Sequence, residues 1–149
     1  MKSLLMGRAL KCELHKKSSF DRKSYFYPDL PMGYQITQFY KPTMTDGQLN
    51  FFHDNFEDKE SIGIQQIQME TDTAKSIHTH GSSLIDYNRA ATPLIEIVTR
   101  PDFHTPEQVA AFLKELQRIA RYNDISDADM EKGQMRVDVN ISLSKDSTL

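Results

Sequence analysis

The sequence predicts an α+β fold with a mainly antiparallel sheet and flanking helices. Short segments of strand character follow one another along most of the chain, with few helices between them to cross over between parallel strands. One segment, at 105–122, has a helical period together with its own start signals. At 149 residues, with 38% hydrophobic and 26% charged side chains, the chain has the length and composition of a single globular domain.

The first predicted elements are a helix and a strand on either side of an aromatic segment. Apolar residues recur every four positions and predict a helix over residues 3–17. The stretch FDRKSYFYPDLPMGYQITQ follows, and with the next two residues it holds seven of the chain's fourteen Phe and Tyr residues. Pro28 and Pro31 impose an extended course there, and residues 34–40 then predict a strand.

Turns and strands are predicted through the middle of the chain. Residues 45–48, Thr-Asp-Gly-Gln, have the composition of a hairpin turn that leads into a short strand at 49–52. Residues 53–60 are predicted to form an acidic loop. Further strands are predicted at 62–72, 83–88 and 94–99. In the first of them the apolar parity switches, which predicts a β-bulge near Gln65 and Gln66.

A helix and a strand are predicted near the end of the chain. Thr105 caps the helix at 105–122, Pro106 takes its first position, and Gln108 completes a Thr-x-x-Gln capping box. The apolar stripe of this helix consists of Val109, Phe112, Leu113, Leu116, Ile119 and Ala120. Residues 135–143 alternate apolar and polar side chains and predict a last strand.

Charge, cysteine content and missing motifs narrow the classes of protein. Residues 1–23 carry seven Lys and Arg residues against two acids, and residues 46–72 carry seven acids against one Lys. Such asymmetry is typical either of two solvated faces or of a polyanion-facing end beside a cation-binding region. The single Cys12 excludes an internal disulfide and a cysteine zinc site, and it favours a reducing compartment. His78 and His80 either ligate a metal or are simply exposed.

Long apolar segments and nucleotide-loop motifs are not found in the sequence. No apolar run approaches the roughly 20 residues of a membrane span. The apolar run near the first residue is too short for a signal peptide. Walker A, dinucleotide-binding and zinc-protease motifs are also missing. These observations exclude several common enzyme classes and leave individual polar side chains as the informative positions.

Acidic side chains on the predicted strands are the first candidates for chemistry. Glu96 shares a strand face with Leu94 and Val98, and a carboxylate on a strand buried on both faces needs a cation or hydrogen-bond donors. A buried ion pair with an arginine is the alternative interpretation. Glu70 and Asp72 lie two residues apart on one strand face, so they are either solvated or share a cation.

Other predicted strands add oxygen ligands and cationic side chains. If their polar faces converge, the sheet combines carboxylates suited to Mg²⁺ with Lys and Arg side chains suited to phosphate. Phosphoryl transfer uses this combination. The residues are Asp86, Asn88, Asp138 and Asn140, with Lys75, Arg89 and Arg136 as the cations.

Three long stretches resemble a known family. FDRKSYFYPDLPMGYQITQ, SLIDYNRAATPLIEIVTRPDFHTPEQV and MEKGQMRVDVNISL, in this order, resemble the B subunits of glutamyl-tRNA(Gln) amidotransferases, the GatB family. The resemblance runs from about Gly7 to Leu143. GIQQIQMETDTAK and QMRVDVNISL resemble fungal mitochondrial members more than bacterial ones, which have a histidine, a second acid and a glycine at the positions of Gln68, Thr71 and Ala74.

The resemblance implies both a fold and an activity. The fold would be part of a catalytic core similar to glutamine synthetase and guanidino kinases, with residues 1–149 forming part of the N-terminal catalytic (cradle) domain. A preceding strand reading Gly-Leu-Glu-x-His would complete the metal site, and helical and tail domains would follow. The activity would be ATP- and Mg²⁺-dependent phosphorylation of the glutamyl side chain on misacylated Glu-tRNA(Gln), followed by amidation with ammonia.

Partners, compartment and site residues also follow from the resemblance. The partners would be the amidase subunit GatA and a small GatF- or GatC-like third subunit, in the mitochondrial matrix. The metal-facing acids would be Glu70 and Glu96 first, then Asp72 and Asp86. Lys75, Arg89 and Arg136 would clamp phosphate or carboxylate. The substrate-binding residues would be Asp21, Arg22, Lys23, Tyr25, Tyr27, Asp29 and Asn88.

Alternative interpretations remain at this point. Tyr25, Phe26 and Tyr27, here named the aromatic ledge, either meet the tRNA acceptor end and a partner subunit or only seal the edge of a core. The chain is either part of an enzyme or a binding module that docks on GatA or tRNA. A Mg²⁺-dependent nuclease or phosphoesterase is a third possibility, which rests on the acidic residues alone.

Overall fold

The computed structural model describes residues 1–53, 57 and 59–143 and confirms the α+β fold. The helices are α1 (Lys2–Ala9) and α2 (Pro106–Tyr122). The strands are β1 (Glu13–Leu14), β2 (Asp21–Ser24), β3 (Tyr34–Thr37), β4 (Met44–Phe52), β5 (Lys59–Thr71), β6 (Lys75–Thr79), β7 (Ser82–Asp86) and β8 (Pro93–Thr99). All the pairings among these strands are antiparallel.

A four-stranded sheet with the order β1-β4-β5-β8 forms the centre of the molecule, and β2–β3 and β6–β7 form two separate hairpins. β5 is the longest strand and pairs with β4 on one side and with β8 on the other. Its register with β8 shifts between Ile64 and Gln66, which confirms the predicted β-bulge. The strand predicted at 94–99 is also confirmed, as β8.

The hydrophobic core joins both helices to one face of the central sheet. Ile62, Ile64 and Ile67 of β5 are fully buried in it, because alternate residues of a strand face the same side. From α2, Phe112 contacts the ring of Phe51 in an edge-to-face arrangement, with ring centroids 5.9 Å apart. Edge-to-face packing of this kind adds to the free energy of area burial.

The helix α2 begins as the sequence predicts. The Thr105 side chain accepts a hydrogen bond from Gln108 N at 3.2 Å, and Gln108 Oε1 accepts one from Thr105 N at 3.0 Å, so the capping box is complete. Neither α1 nor α2 combines the length and apolar character that crossing a membrane requires, a statement that covers residues 1–53, 57 and 59–143.

Two predictions in the first third of the chain are wrong. The helix predicted over 3–17 ends at Ala9, because Lys11 turns into the left-handed region at φ 55° and Glu13–Leu14 pair with β4. The hairpin turn predicted at 45–48 lies inside β4. A Cβ atom on Gly47 would lie 2.7 Å from the backbone oxygen of Leu10, so the glycine serves a close approach and not a turn.

The strand predicted at 135–143 is also wrong. Its apolar side chains are largely exposed, with Ile141 at 81% and Leu143 at 96%. A strand is stabilised by a neighbour on at least one edge, and none of the described strands pairs with this segment.

Other boundaries differ by smaller amounts. The strand predicted at 34–40 is shorter, as β3, and the one at 83–88 corresponds to β7. Residues 59 and 60 of the predicted acidic loop belong to β5, and residues 54–56 and 58 lie outside the described residues. The sequence analysis did not predict β2 or β6, and His78 lies in the latter as an exposed strand residue.

We expect Phe112→Ala to lower the free energy of unfolding by about 3–5 kcal/mol, because it removes a buried ring that packs on two other rings. Urea denaturation followed by circular dichroism measures the change. Tyr122→Ala, on the same helix but 86% exposed, is the matched control and should change stability by less than about 0.5 kcal/mol. Equal losses in the two variants would contradict the described core.

Candidate functional site

Two glutamates from neighbouring strands meet on the face of the central sheet opposite the core. In the antiparallel register Gln68 of β5 lies opposite Glu96 of β8, and Glu70 lies opposite Leu94. Residues directly opposite each other share a face, so Gln68, Glu70 and Glu96 lie together. Gln68 Nε2 donates a hydrogen bond to Glu70 Oε1 at 3.0 Å and another to Glu96 Oε2. We call Glu70 and Glu96 the carboxylate pair.

Glu70 is held by neutral donors and is partly withdrawn from water. Its Oε1 also accepts a hydrogen bond from Thr37 Oγ1 at 2.9 Å, and its Oε2 has a longer contact of 3.5 Å from Gln35 Nε2. Burial and the adjacent Glu96 raise the pKa of the Glu70 carboxyl, while the Thr37 hydrogen bond and the charge of Lys23 act in the opposite direction. A neighbouring cation would therefore stabilise the ionised pair.

The environment of Glu96 differs from the prediction. The sequence analysis placed it on a strand buried on both faces, but Glu96 is exposed. The reason is that β8 is the last strand of the described sheet and its polar face is not covered by a second layer there. The hydrogen bond to its carboxylate comes from Gln68, so the alternative of a buried ion pair with an arginine is not what the structure describes.

The aromatic ledge lies beside the carboxylate pair. The loop that carries it joins β2 to β3, and Phe26 at its tip is 100% exposed. Burial raises the pKa of the Tyr25 hydroxyl, and the negative charges of Asp29 and Glu70 raise it further. Because Tyr25 experiences the charge of Glu70, and Glu70 that of Lys23, the structure brings these predicted substrate-binding residues to the pair.

The remaining residues of the aromatic segment hold the ledge in place. Asp29 O accepts a hydrogen bond from Ala74 N at 2.8 Å, just beyond the end of β5. Asp21 Oδ2 accepts one from Tyr40 N at 3.1 Å. The Arg22 guanidinium lies 4.7 Å from the centre of the Tyr34 ring. Tyr27 at the outer end of the ledge is exposed. These contacts fix the loop, and they leave Phe26 open to solvent.

Asp72, a predicted metal ligand, lies in a buried ion pair with two arginines. Its carboxylate is 3.2 Å from Arg89 Nη2 and 2.5 Å from Arg136 Nη2, and the Asp72 side chain is only 5% exposed. Both of its oxygens thus contact guanidinium groups. The structure brings Asp72, Arg89 and Arg136 together, and it separates this cluster from the carboxylate pair.

The β6–β7 hairpin carries the other predicted residues. Lys75 and Asp86 lie opposite each other in the hairpin register, and both are exposed. Asp86 Oδ1 accepts a hydrogen bond from Asn88 N at 2.9 Å, in the turn that follows β7. No hydrogen bond or ion pair described in the structure joins these three residues to Glu70 or Glu96.

The donor chemistry of the carboxylate pair fits a hard cation. Its oxygens come from two carboxylates, with the Thr37 hydroxyl and glutamine amides around them. The described residues contain no group of three or more His, Cys, Asp or Glu side chains placed to hold a metal ion. Mg²⁺ is commonly held by one or two carboxylates together with waters and substrate phosphates, so two acids are enough for this kind of site.

Sequence analysis missed the neutral residues that hold the carboxylate pair. Gln35, Thr37 and Gln68 are all buried polar side chains on strands. Their signal was available in the alternation of YQITQ and IQQIQ, where polar residues recur at every second position. It could not be interpreted, because period two alone does not say whether a polar face meets water or another polar strand.

The sequence and this geometry were compared with known proteins. The GatB/GatE catalytic domain model matches residues 1–149. The chain is 49% identical over 147 residues to the B subunit of the mitochondrial glutamyl-tRNA(Gln) amidotransferase of Eremothecium gossypii, covering 95% of this chain and 27% of that protein. It is 50% and 52% identical to the B subunits of the aspartyl/glutamyl-tRNA(Asn/Gln) amidotransferases of Ehrlichia chaffeensis and Persephonella marina, covering 92% and 91% of this chain. The chain spans 28% of each of these two relatives.

Glu70 should titrate above the ordinary glutamate pKa of 4.5, and Glu96→Gln should lower the Glu70 pKa because it removes the adjacent negative charge. Carboxyl-carbon NMR shifts followed across pH measure both values. Because the folded state binds this proton more tightly than the unfolded chain, the free energy of unfolding falls as pH rises between the two pKa values. Glu107→Gln, on the exposed start of α2, should leave the Glu70 pKa unchanged; an equal effect of both variants would refute the pairing.

Asp72→Asn should destabilise the fold by about 1–3 kcal/mol, because it leaves two guanidinium groups without their carboxylate. It should also speed trypsin cleavage after Arg136. The control is Asp46→Asn, which removes an ion pair between half-exposed side chains and should cost less than about 1 kcal/mol. Thermal and urea unfolding compare the two variants, and matching losses would show that the Asp72 cluster has no special structural role.

Proposed function

The chain belongs to the family of GatB/GatE catalytic domains, and on this basis we propose that it is the part of an amidotransferase B subunit that activates a carboxylate on a misacylated tRNA. The substrate is the glutamyl side chain of Glu-tRNA(Gln). The γ-phosphoryl group of ATP is transferred to that carboxylate, and ADP is released. Ammonia then attacks the acyl carbon, inorganic phosphate leaves, and the product is Gln-tRNA(Gln).

The observation that carries this proposal is the carboxylate pair, Glu70 and Glu96 bridged by Gln68 on an open face of the sheet. A free carboxylate is a poor electrophile, and phosphorylation turns it into an acyl phosphate that ammonia can attack. Bound Mg²⁺ would neutralise charge on the phosphates during the transfer. Glu70 and Glu96 are the residues that would hold it, and Lys23 adds positive charge on the same side.

Two arginines are proposed to hold phosphate or carboxylate groups of the substrates. Arg89 and Arg136 both bind Asp72, but their side chains remain 43% and 59% exposed. A guanidinium has five N–H donors, so each can contact a further anionic oxygen. Lys75 on the exposed hairpin is proposed for the same purpose. Asp72 then acts by orienting the two arginines.

The aromatic ledge is proposed to receive the acceptor end of the tRNA. Phe26 and Tyr27 are exposed aromatic side chains next to the carboxylate pair, and Lys23 and Arg22 precede them. Stacking of one base on an aromatic side chain contributes about 1–3 kcal/mol, and cationic side chains follow the backbone. A base stacked there would direct the esterified glutamate towards Glu70, since Tyr25 lies within the electrostatic reach of both Asp29 and Glu70.

The partners and the compartment are proposed from the relatives' names. Assembly with an amidase subunit, GatA, and with a small GatF- or GatC-like subunit would supply the ammonia. The similarity to the Eremothecium gossypii mitochondrial protein supports a place in the mitochondrial matrix, although the bacterial relatives are equally similar in identity. ATP and Mg²⁺ are the proposed cofactors.

A second candidate function is a binding module that docks on the amidase subunit or on tRNA without catalysis. One observation favours it: the described residues bring only two acids together at the site. ATP turnover by the chain would exclude this candidate, whereas binding of the amidase subunit without ATP turnover would support it.

Glu96→Gln, made in the complete GatB-type protein within its complex, should reduce Mg²⁺-ATP-dependent formation of Gln-tRNA(Gln) by about 100-fold or more, because one of the two cation-facing charges is lost. Separation of glutaminyl- from glutamyl-adenosine after nuclease digestion measures the product. Glutamine hydrolysis by the amidase subunit should continue.

Glu107→Gln is the matched control, since Glu107 is an exposed glutamate on α2. It should leave product formation unchanged. Normal Gln-tRNA(Gln) formation by the Glu96→Gln complex would contradict the proposed role of the carboxylate pair.

A further inference from the structure

We infer that Gln68 is a positioning residue, which holds the carboxylates of Glu70 and Glu96 at the spacing at which both face one divalent cation. The inference rests on the proposed function, because it concerns the same two carboxylates. It adds a neutral side chain, which the sequence analysis had noted only as part of a polar strand face.

The contacts of Gln68 use its donor groups completely. A primary amide has two N–H bonds, and Gln68 Nε2 donates to Glu70 Oε1 at 3.0 Å and to Glu96 Oε2. The strand register explains how one side chain reaches both carboxylates. Gln68 is directly opposite Glu96 on the neighbouring strand and two positions before Glu70 on its own strand.

The orientation of the amide follows from its third contact. Gln68 Oε1 accepts a hydrogen bond from Gln66 Nε2 at 2.7 Å. If the amide were reversed, its oxygen would face two carboxylate oxygens and its NH₂ group would face another NH₂ group, both of which are repulsive. Gln68 is also only 4% exposed, so its side chain has little room to turn.

Neutrality is the chemical reason for an amide at this position. Two adjacent carboxylates repel each other, and a lysine or arginine between them would draw them together only by cancelling one of their charges. The Gln68 amide bridges them and leaves their charge available to a cation. Because Mg²⁺ demands near-octahedral geometry, the spacing of its ligands matters. Residues that orient metal ligands typically contribute about 10–100-fold to metal affinity.

A purely structural role for Gln68 makes a different prediction. If the amide only satisfied polar groups next to the core, its loss would lower the free energy of unfolding and leave the cation affinity of the folded protein unchanged. Cation affinity therefore separates the two explanations, and activity alone does not.

The test measures Mn²⁺ binding to the complete GatB-type protein in its complex, by the electron paramagnetic resonance signal of free Mn²⁺ and by competition with Mg²⁺. Gln68→Leu keeps a similar volume and removes both donors, and it should weaken Mn²⁺ binding by about 10-fold or more. Gln68→Asn keeps the amide but shortens the side chain by one methylene. It should weaken binding in the same direction, and it serves if the Leu variant folds poorly. Gln48→Leu, an exposed glutamine on β4, should bind Mn²⁺ as the wild type does.

The outcomes separate this inference from the proposed function. Mn²⁺ affinity that falls in the Gln68 variants and in Glu70→Gln and Glu96→Gln, but not in Gln48→Leu, supports both. Affinity that falls in the two glutamate variants and stays unchanged in folded Gln68→Leu and Gln68→Asn overturns the inference alone. Affinity unchanged in the glutamate variants overturns the cation site, and the inference with it.

Discussion

The antiparallel register between β5 and β8 is the constraint on which both the core and the site depend. It places Ile67 opposite Ile97 on the side of the helices, and Gln68 opposite Glu96 on the other side. Because alternate residues of a strand face opposite sides, one set of hydrogen bonds fixes both pairs at once. A slip by a single residue would carry the isoleucines to the polar face and turn the carboxylate towards Phe112 and the rest of the core. The free energy of core burial therefore also maintains the geometry of the carboxylate pair.

The unequal lengths of neighbouring strands create the place where the aromatic ledge attaches. β4 pairs with β5 as far as Ile67, and β5 continues to Thr71 beyond the last paired residue of β4. Side chains of the β2–β3 hairpin and the residue after it take over along this edge. Gln38 Oε1 accepts from Met69 N at 3.0 Å, and Gln35 Nε2 donates to Thr71 O at 2.7 Å. The hairpin is thus held against the end of β5, which brings its exposed aromatic loop to the carboxylates.

The end of β5 also gathers segments that are distant in the sequence. Asp72 binds arginines from the turn after β7 and from the segment near the end of the described chain. Two residues later, Ala74 N donates to Asp29 O in the loop of the aromatic ledge. The carboxylate pair, the arginine cluster and the ledge are consequently arranged around the last residues of one strand. A strand end suits this purpose because its polar groups lie at an edge where substrates have access.

Local sequence was sufficient to predict the elements whose hydrogen-bond partners lie within a few residues. The capping box of Thr105 and Gln108, the apolar stripe of α2 and the bulge at Gln65 belong to this class, and so does the family resemblance. It also indicated Glu70 and Glu96, as acids where a strand would otherwise be apolar. Tertiary contacts were needed to show that Gly47 lies within a strand, that residues 135–143 pair with none of the described strands, and that Gln68 joins the two carboxylates. Each of these depends on which distant segment lies alongside, and local sequence periodicity carries no information about that neighbour.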